Sequence, residues 1–264
     1  MRRGGRSVGP MSSAVARPPS EVERNRVIDL DHGLPQGEQK AASVRRLFDT
    51  ISPRYDMVNR LMTFRLDVRW RRLTVDALGL PRRSTVLDLA AGTGDFCREL
   101  ESRGMRPVGM DFSFGMLHHA RTSAPLAQAD ALRLPVSDAA FDGVTCGFAL
   151  RNFVDLAAFF REVSRVVRPG GRVALLDACA PERPLLRFGH GVYFGRVVPR
   201  IGGLFGDKSA YAYLPKSLAY LPPADEMLDS LRSAGLSGVQ RRLLFGGAAQ
   251  LIVGTRTGDP GTAR

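Results

Sequence analysis

The chain has 264 residues, of which 44% are hydrophobic and 24% charged, and its mean hydropathy is −0.10. This composition excludes fibrous and wholly disordered proteins, and no stretch comes near the ~18–20 apolar residues that a membrane-spanning helix needs. The net charge of +12 is compatible with a nucleic acid, an anionic membrane or an anionic ligand. Three scattered cysteines without a CxxC pair argue against a disulfide framework or a metal site and favour a reducing cytoplasm.

The amino-terminal part is predicted to be a tail followed by helices. Residues 1–39 are rich in Gly, Ser, Pro and Arg without a period, which predicts a disordered segment. Their basic start is not followed by the apolar core of a secretory signal. Apolar residues at helical spacing then predict three helices within a cover over 40–80, at about 41–52, 55–62 and 66–78.

After Pro81 the pattern alternates between strand and helix. The first and fifth strand candidates are nearly continuous apolar runs, as expected when helices cover both faces of a sheet. The alternation predicts an α/β fold with a doubly wound, mostly parallel seven-stranded sheet. We expect one domain over 40–256, an irregular insert at 181–220 and a disordered tail at 257–264. The predicted strands are 85–90, 107–111, 125–129, 141–148, 172–178, 239–245 and 249–255, and the predicted helices are 94–103, 113–122, 155–167 and 224–234.

The strongest local signal is the segment 86–95, VLDLAAGTGD. It is an apolar strand that contains Asp88 near its end and continues into a turn with Gly92 and Gly94, where a ligand can approach the backbone closely. A dinucleotide fingerprint GxGxxG needs a third glycine where this chain has Cys97, which disfavours a nicotinamide dehydrogenase. Asp88 suits a ligand with an amino group and a positive sulfur, although a plain strand–helix turn is the alternative.

Two further acids stand at predicted strand ends. Asp111 closes the second strand, where a carboxylate can accept both hydroxyls of a ribose, although a helix N-cap is the alternative role. Asp130 follows the third strand and is placed to accept the amine of an adenine, although alone it is typical of a solvated turn. Three acids at three successive strand ends together predict a pocket for an adenosine that carries a sulfonium group.

Four motifs occur in the order and spacing of a known family. They are YDMVN at 55–59 with Trp70, LDLAAGTGD at 87–95, FALRN at 148–152 and RVVRPGG at 165–171. They resemble YDxMN…H..W, the cofactor loop, FGLRN and RVxKPGG of the ubiquinone/menaquinone biosynthesis C-methyltransferases, which are class I S-adenosylmethionine-dependent methyltransferases. Two departures concern the site: Asp67 stands where the family usually has His, and Gly147 replaces a serine, which leaves that cofactor contact to the backbone.

The resemblance implies S-adenosylmethionine as cofactor and methyl transfer to a ring carbon of a reduced prenylated quinone, most simply demethylmenaquinol to menaquinol. For catalysis we expect Arg151 and Asn152 to orient the quinol oxygen or a water, with Tyr55 as a further polar contact. A surface ion pair for Arg151 and a core-capping role for Tyr55 are the structural alternatives. The predicted cofactor-binding residues are Asp88, Gly92, Thr93, Gly94, Asp111, Phe112, Asp130, Ala131 and Gly147.

Charge outside the predicted sheet points to a partner. Residues 41–80 carry eight arginines against four aspartates, and 181–220 carry six basic residues against two acids and four of the five tyrosines. A basic, aromatic surface suits an anionic membrane that holds the prenylated quinol, although an ordinary packed cover explains it equally well.

We therefore expect a cytoplasmic protein with peripheral contact to the inner membrane surface and an open oligomeric state. No NPPY-like or Pro-Cys motif follows the fourth strand, which argues against a nucleic acid as partner. Two alternative functions are methylation of another aromatic small molecule and non-catalytic binding of adenosine or lipid.

Overall fold

The computed structural model describes residues 35–198, 200, 213 and 216–258. Most of the two predicted tails and the middle of the insert therefore lie outside the described residues. Three helices precede the sheet: α1 (Gly37–Ile51), α2 (Tyr55–Met62) and α3 (Leu66–Leu78). Helix α1 begins before the expected domain boundary at residue 40, and α3 ends at Gly79, whose φ of 61° forms a left-handed C-terminal cap.

The seven predicted strands form one sheet in the order β3-β2-β1-β4-β5-β7-β6. Strands β1 to β5 are parallel, and β7 runs antiparallel to β5 and β6. The chain reverses its direction of progress through the sheet between β1 and β4, and ligands of open α/β folds bind at such a switch point. The strands are β1 (Thr85–Leu89), β2 (Arg106–Asp111), β3 (Leu126–Gln128), β4 (Phe141–Gly147), β5 (Val167–Ala178), β6 (Leu236–Leu244) and β7 (Ala249–Arg256).

The structure confirms the predicted fold class and corrects some boundaries. The helix expected at 113–122 is shorter than predicted and ends at His118. Ser113 caps its start by accepting from the Met116 N–H at 3.1 Å. Strand β5 begins at Val167 rather than at residue 172, with a shift in its register against β4. The remaining helices are α4 (Asp95–Ser102), α5 (Phe114–His118), α6 (Leu156–Val166), α7 (Pro184–Val192) and α8 (Ala224–Ser233).

The apolar core is divided into three clusters. Two of them lie against the sheet, one with α6 and α8 and one with α3 and α4. The third, the cover cluster, joins α1 and α2 to the described part of the insert, so these elements pack on one another. Its buried members are Leu47, Ile51, Val58, Met62, Met116, Val198 and Tyr213, and Val44, Phe48, Tyr55, Tyr193 and Tyr220 pack against them.

Within 35–198, 200, 213 and 216–258, no helix has the length and apolar character needed to cross a bilayer. The same residues contain no group of three His, Cys, Asp or Glu side chains placed to hold a metal ion.

Candidate active site

The turn after β1 presents its backbone at the carboxyl edge of the sheet. Gly92 and Gly94 have φ of 57° and 83°, a left-handed conformation that favours glycine. Space is open where a Cβ of Gly92 would lie, whereas a Cβ on Gly94 would stand 2.8 Å from the Thr122 methyl. The two glycines therefore have different roles: Gly92 leaves room for a ligand, and Gly94 allows the turn to pack closely against Thr122.

A first cavity, the cofactor cavity, opens beside this turn at the switch point between β1 and β4. Together with the solvent at its mouth it holds about 1150 Å³ of empty space, ample for a small-molecule ligand. Seven of the nine predicted cofactor residues line it, and Asp88 and Gly94 do not. The seven are Gly92, Thr93, Asp111, Phe112, Asp130, Ala131 and Gly147.

Asp111 lies at the end of β2, where its carboxylate faces the cofactor cavity. Its Oδ2 accepts from the Gly92 N–H at 2.8 Å and its Oδ1 from the Ser113 N–H at 2.7 Å. Burial raises the pKa of this carboxyl to about 6, against the opposing effect of those two backbone donors. Each oxygen keeps a further lone pair, so the group can accept two hydroxyls of a ribose.

Asp130 and Ala131 line the same cavity beyond β3. The Asp130 side chain is exposed, and its Oδ1 accepts from the Leu132 N–H at 2.9 Å, as in a turn. Both the turn role and the predicted contact with an adenine amine are therefore geometrically possible for this residue.

Asp88 is expected from the sequence to contact the ligand directly, but its side chain does not line the cofactor cavity. It is 1% exposed and points into the protein, where Oδ1 accepts from the Thr145 hydroxyl at 3.0 Å and Oδ2 from the Cys97 thiol at 3.6 Å. Burial raises its pKa to about 7. The carboxyl thus links β1 to β4 and α4 beneath the turn.

Thr93 connects the turn to the amino-terminal helices. Its hydroxyl donates to Asp56 Oδ1 at 2.5 Å, and Asp56 belongs to the YDMVN motif on α2. The motif was singled out by resemblance, but the role of its aspartate as an anchor for the glycine turn emerges only from this contact.

Helix α1, the first helix of the predicted cover over 40–80, covers the cofactor cavity. Ala41, Val44, Arg45 and Phe48 line the cavity from this side. The Arg45 guanidinium lies 5.2 Å from the centre of the Phe112 ring, close enough for a cation–π contact. The same helix is tied to the sheet side, because Asp49 Oδ1 accepts from the Ser113 hydroxyl at 2.5 Å and from the Gly115 N–H at 2.9 Å.

A second cavity lies between α2, α3, α7 and the end of β4, with about 1460 Å³ of empty space including its mouth. Its walls are mainly apolar, with Asn59, Thr63, Arg151 and His190 as polar exceptions. Tyr55 and Phe148 line both cavities, so the two spaces meet there. Phe148 holds a φ of 59°, a strained conformation for a bulky residue and one that concentrates at functional sites.

Tyr55 lies at the meeting point with its ring edge-on to Phe48, 6.0 Å away between ring centres. Burial raises the pKa of its hydroxyl to about 12, although the nearby Arg71 and Arg151 lower it. The phenol is therefore protonated at neutral pH and can donate a hydrogen bond into the space where the cavities join.

Arg151 lines the second cavity and is 7% exposed. Its guanidinium forms an ion pair with the carboxylate of Asp177, its backbone N–H donates to Asp177 Oδ2 at 3.1 Å, and its Nε donates to the Ser217 hydroxyl at 3.0 Å. The ion-pair alternative is thus realised, but in the interior beside a cavity rather than on the surface.

Asn152 lines a different cavity from Arg151, its predicted partner in catalysis. It lines the cofactor cavity, and its Oδ1 accepts from the Tyr213 hydroxyl at 3.2 Å. Leu150–Asn152 form a 3₁₀ turn, in which successive side chains point about 120° apart. The two neighbours therefore face different cavities, so a common contact with one oxygen atom is not supported.

Arg71 is a site residue that the sequence reasoning missed. It lines the cofactor cavity, is 7% exposed and lies 5.2 Å from the centre of the Phe148 ring. Asp67 accepts from it at 2.5 Å and Asp95 lies 3.2 Å away. The departure at Asp67 is explained by this contact, because the buried carboxylate supplies a counter-charge for the buried guanidinium.

Comparison with known proteins decides the family. The model of the ubiE/COQ5 methyltransferase family matches residues 36–256. This chain belongs to that family. A demethylmenaquinone methyltransferase of Roseiflexus castenholzii is 44% identical over 234 residues, 85% of this chain and 98% of the relative. A ubiquinone/menaquinone biosynthesis C-methyltransferase UbiE of a Geobacter species is 35% identical over 230 residues, 83% of this chain and 98% of the relative.

Solved structures agree on the fold of this family member. The [4+2]-cyclase SpnF has a TM-score of 0.59 at 16% identity, with 85% of this chain and 97% of that chain covered. Phosphoethanolamine N-methyltransferase 2 of Haemonchus contortus, in complex with S-adenosyl-L-methionine, has a TM-score of 0.56 at 13% identity, with 72% and 53% covered. Family membership confirms the predicted enzyme class, an S-adenosylmethionine-dependent methyltransferase, and its predicted cofactor.

The residues of the cofactor cavity fit that cofactor. Asp111 offers two acceptor oxygens for the ribose, and the backbone beside Gly92 is open where a side chain would obstruct a ligand. Arg71 offers a positive charge for a carboxylate. Gly147 has no side chain and can contribute only its backbone. A Cβ at this position would stand 2.4 Å from Phe96 Cε2. A serine at this position would therefore require Phe96 to move.

Proposed function

We propose that this methyltransferase transfers a methyl group to a ring carbon of reduced demethylmenaquinone and so forms menaquinol. The observation that carries the proposal is the junction of a cofactor cavity with a large apolar cavity at Tyr55 and Phe148, with Arg151 on the apolar side. The relatives' names, demethylmenaquinone methyltransferase and UbiE, agree with this function, which the sequence predicted.

The chemistry asks little of the protein beyond placement and charge. S-adenosylmethionine supplies a methyl group made electrophilic by its positively charged sulfur. The apolar walls of the second cavity hold the ring with its reacting carbon directed at the junction. This placement lowers the entropic part of the activation barrier, because the two reactants need not meet by chance in solution. The guanidinium of Arg151 stabilises the oxyanion left when a ring hydroxyl of the quinol gives its proton to a base or a water, and the protonated Tyr55 hydroxyl donates to the same region. The oxyanion makes the neighbouring ring carbon nucleophilic, and its charge is consumed as that carbon bonds to the methyl group. The ring carbon then loses its proton to a base or a water.

A mass-spectrometric assay tests the proposal. Purified protein is mixed with methyl-labelled S-adenosylmethionine and chemically reduced demethylmenaquinone, and the oxidised quinone serves as the matched negative substrate. We expect a product heavier by one labelled methyl from the quinol alone. Arg151→Ala should lose turnover while it keeps cofactor affinity, because Arg151 lines only the second cavity. Cofactor binding without product would point to another aromatic acceptor or to a binding protein.

Peripheral membrane contact belongs to the same proposal. Four apolar side chains around α7 and the mouth of the second cavity are strongly exposed: Phe64 at 73%, Leu185 at 82%, Phe188 at 72% and Phe245 at 70%. All except Phe188 line that cavity. An apolar rim around a cavity for a lipid-soluble substrate, with basic Arg183 and Arg187 on the same segment, suits an anionic membrane surface.

Vesicle flotation tests this contact. The double variant Leu185→Ser/Phe188→Ser should float less with phosphatidylglycerol vesicles than the parent protein. Phe114→Ser is the matched control, because Phe114 is 61% exposed but lies outside the rim on α5. Equal flotation of the rim variant and the parent would reject the membrane contact and leave the methyl transfer untouched.

A further inference from the structure

The end of the insert contacts two consecutive residues of the active site directly, and the next one through Lys40 of α1. Ser217 accepts from Arg151 Nε at 3.0 Å, and the Tyr213 hydroxyl donates to Asn152 Oδ1 at 3.2 Å. The third contact, to Phe153, is made through Lys40, whose ammonium donates to the Phe153 carbonyl at 2.7 Å and lies 3.7 Å from the centre of the Tyr220 ring. The positions 213, 217 and 220 have the spacing of one helical face.

Lys40 connects the insert to α1. The residue belongs to α1 and is 4% exposed, and burial lowers its pKa to about 8. The Tyr220 ring, over which the Lys40 ammonium lies, is also held at the start of α1. Its hydroxyl donates to the Pro35 carbonyl at 2.5 Å. Phe153 lines the cofactor cavity, so this small cluster also borders that cavity.

The two coverings of the site share a core as well. Helix α1 closes the cofactor cavity. The described part of the insert, which includes α7, closes the second cavity. Their apolar residues meet in the cover cluster, which is separate from the two clusters on the sheet. Elements that pack on each other in this way open and close together more readily than one at a time.

We propose that α1 and the described part of the insert form one cover, joined at Lys40, and that filling either cavity strengthens binding in the other. A ligand under one half of the cover stabilises the closed arrangement of the cover. The second ligand then binds to a cover that is already ordered, so its binding loses less conformational entropy. The coupling is reciprocal: the factor by which a quinone tightens the cofactor equals the factor by which the cofactor tightens the quinone. Lys40 is a positioning residue in this scheme. The inference rests on the proposed function only for the identity of the second ligand.

Binding titrations of the full chain test the coupling without turnover. The affinity of S-adenosylhomocysteine is measured with and without saturating oxidised, short-tailed demethylmenaquinone, and quinone binding is measured separately. In the parent protein we expect the quinone to tighten S-adenosylhomocysteine at least about fivefold. Lys40→Met keeps the length of the side chain and removes its charge, and the factor should fall to about one.

The matched control is Lys216→Met, the same exchange at an exposed position one residue before Ser217, which should keep the coupling of the parent. If Lys40→Met does not fold, Tyr220→Leu removes the same contact from the other side. Parent protein that binds both ligands without coupling, or a Lys40→Met variant that couples as the parent does, would overturn the inference. Failure of the quinone to bind at all would instead reject the proposed function.

Hydrogen exchange supplies a readout that needs no quinone. The cofactor cavity borders α1, whereas none of residues 216–221 except Leu218 lines either cavity, and Leu218 lines the second. We expect the ligand to slow amide exchange at both 37–51 and 216–221 in the parent and in Lys216→Met. In Lys40→Met only α1 should be protected. Protection confined to α1 in the parent would also overturn the inference.

Discussion

The guanidinium of Arg151 is paired with the carboxylate of Asp177 at the ends of two neighbouring parallel strands. Asp177 is fully buried and Arg151 nearly so. Burial raises the pKa of Asp177, and the Arg151 charge lowers it. Because both charges are removed from water, such a pair adds little net stability. Its value lies in holding a cation at the wall of the second cavity, where it favours deprotonation of a quinol hydroxyl in the proposed reaction.

Asp177→Asn should therefore affect both stability and turnover. The substitution leaves the Arg151 cation buried without its counter-charge, which costs about 3–5 kcal/mol in the free energy of unfolding. Turnover should fall up to about 10²-fold because the cation moves away from the reacting oxygen, while cofactor affinity stays unchanged. Urea unfolding and the labelled-methyl assay measure the two effects. The same exchange at Asp229, in an exposed pair with Arg232, should cost under about 1 kcal/mol.

Tyr55→Phe should separate catalysis from cofactor binding. The ring that separates the cavities is kept, and only the hydroxyl is removed from their junction. Loss of one donor to the oxyanion of the deprotonated quinol should lower kcat by about tenfold or more. Calorimetry with S-adenosylhomocysteine should give the affinity of the parent protein. An unchanged kcat would leave Tyr55 with the core-capping role.

The affinity for the cofactor should fall in acid because of Asp111. Its pKa is raised to about 6, so its carboxylate form, which accepts the ribose hydroxyls, is lost as the pH falls through that value. The Kd of S-adenosylhomocysteine should be about tenfold weaker at pH 5 than at pH 7. Asp111→Asn should bind weakly at both pH values, whereas Asp88→Asn should keep the pH dependence, since Asp88 does not line the cavity. A flat profile for the parent would contradict this assignment.

Gly147→Ser should be destabilising, although serine is usual at this position in the family. The new Cβ would stand 2.4 Å from the Phe96 ring, which is buried in the core. Overpacking of this kind costs about 1–3 kcal/mol of unfolding free energy, and the displaced ring should also weaken cofactor binding. Gly147→Ser/Phe96→Leu should be more stable than the sum of its single variants predicts. Strict additivity in urea unfolding would show that the two positions do not conflict.

The sequence by itself determined the fold class and most of the cofactor cavity. Strand–helix alternation specifies a parallel sheet, and the carboxyl ends of its strands meet at one edge. Residues that follow successive strands, such as Gly92, Asp111 and Asp130, are therefore brought together whatever the details of packing. Local patterns are sufficient for such residues because backbone topology alone places them.

Only the tertiary structure decided where individual side chains point and which distant segments meet. Asp88 faces Thr145 and Cys97 rather than the cavity, and Asn152 turns away from Arg151, although each is adjacent in sequence to residues of the site. Lys40 meets the Phe153 carbonyl across 113 residues of sequence. A strand or turn pattern does not encode these contacts, because they depend on the burial, close packing and charge pairing of elements that are remote along the chain.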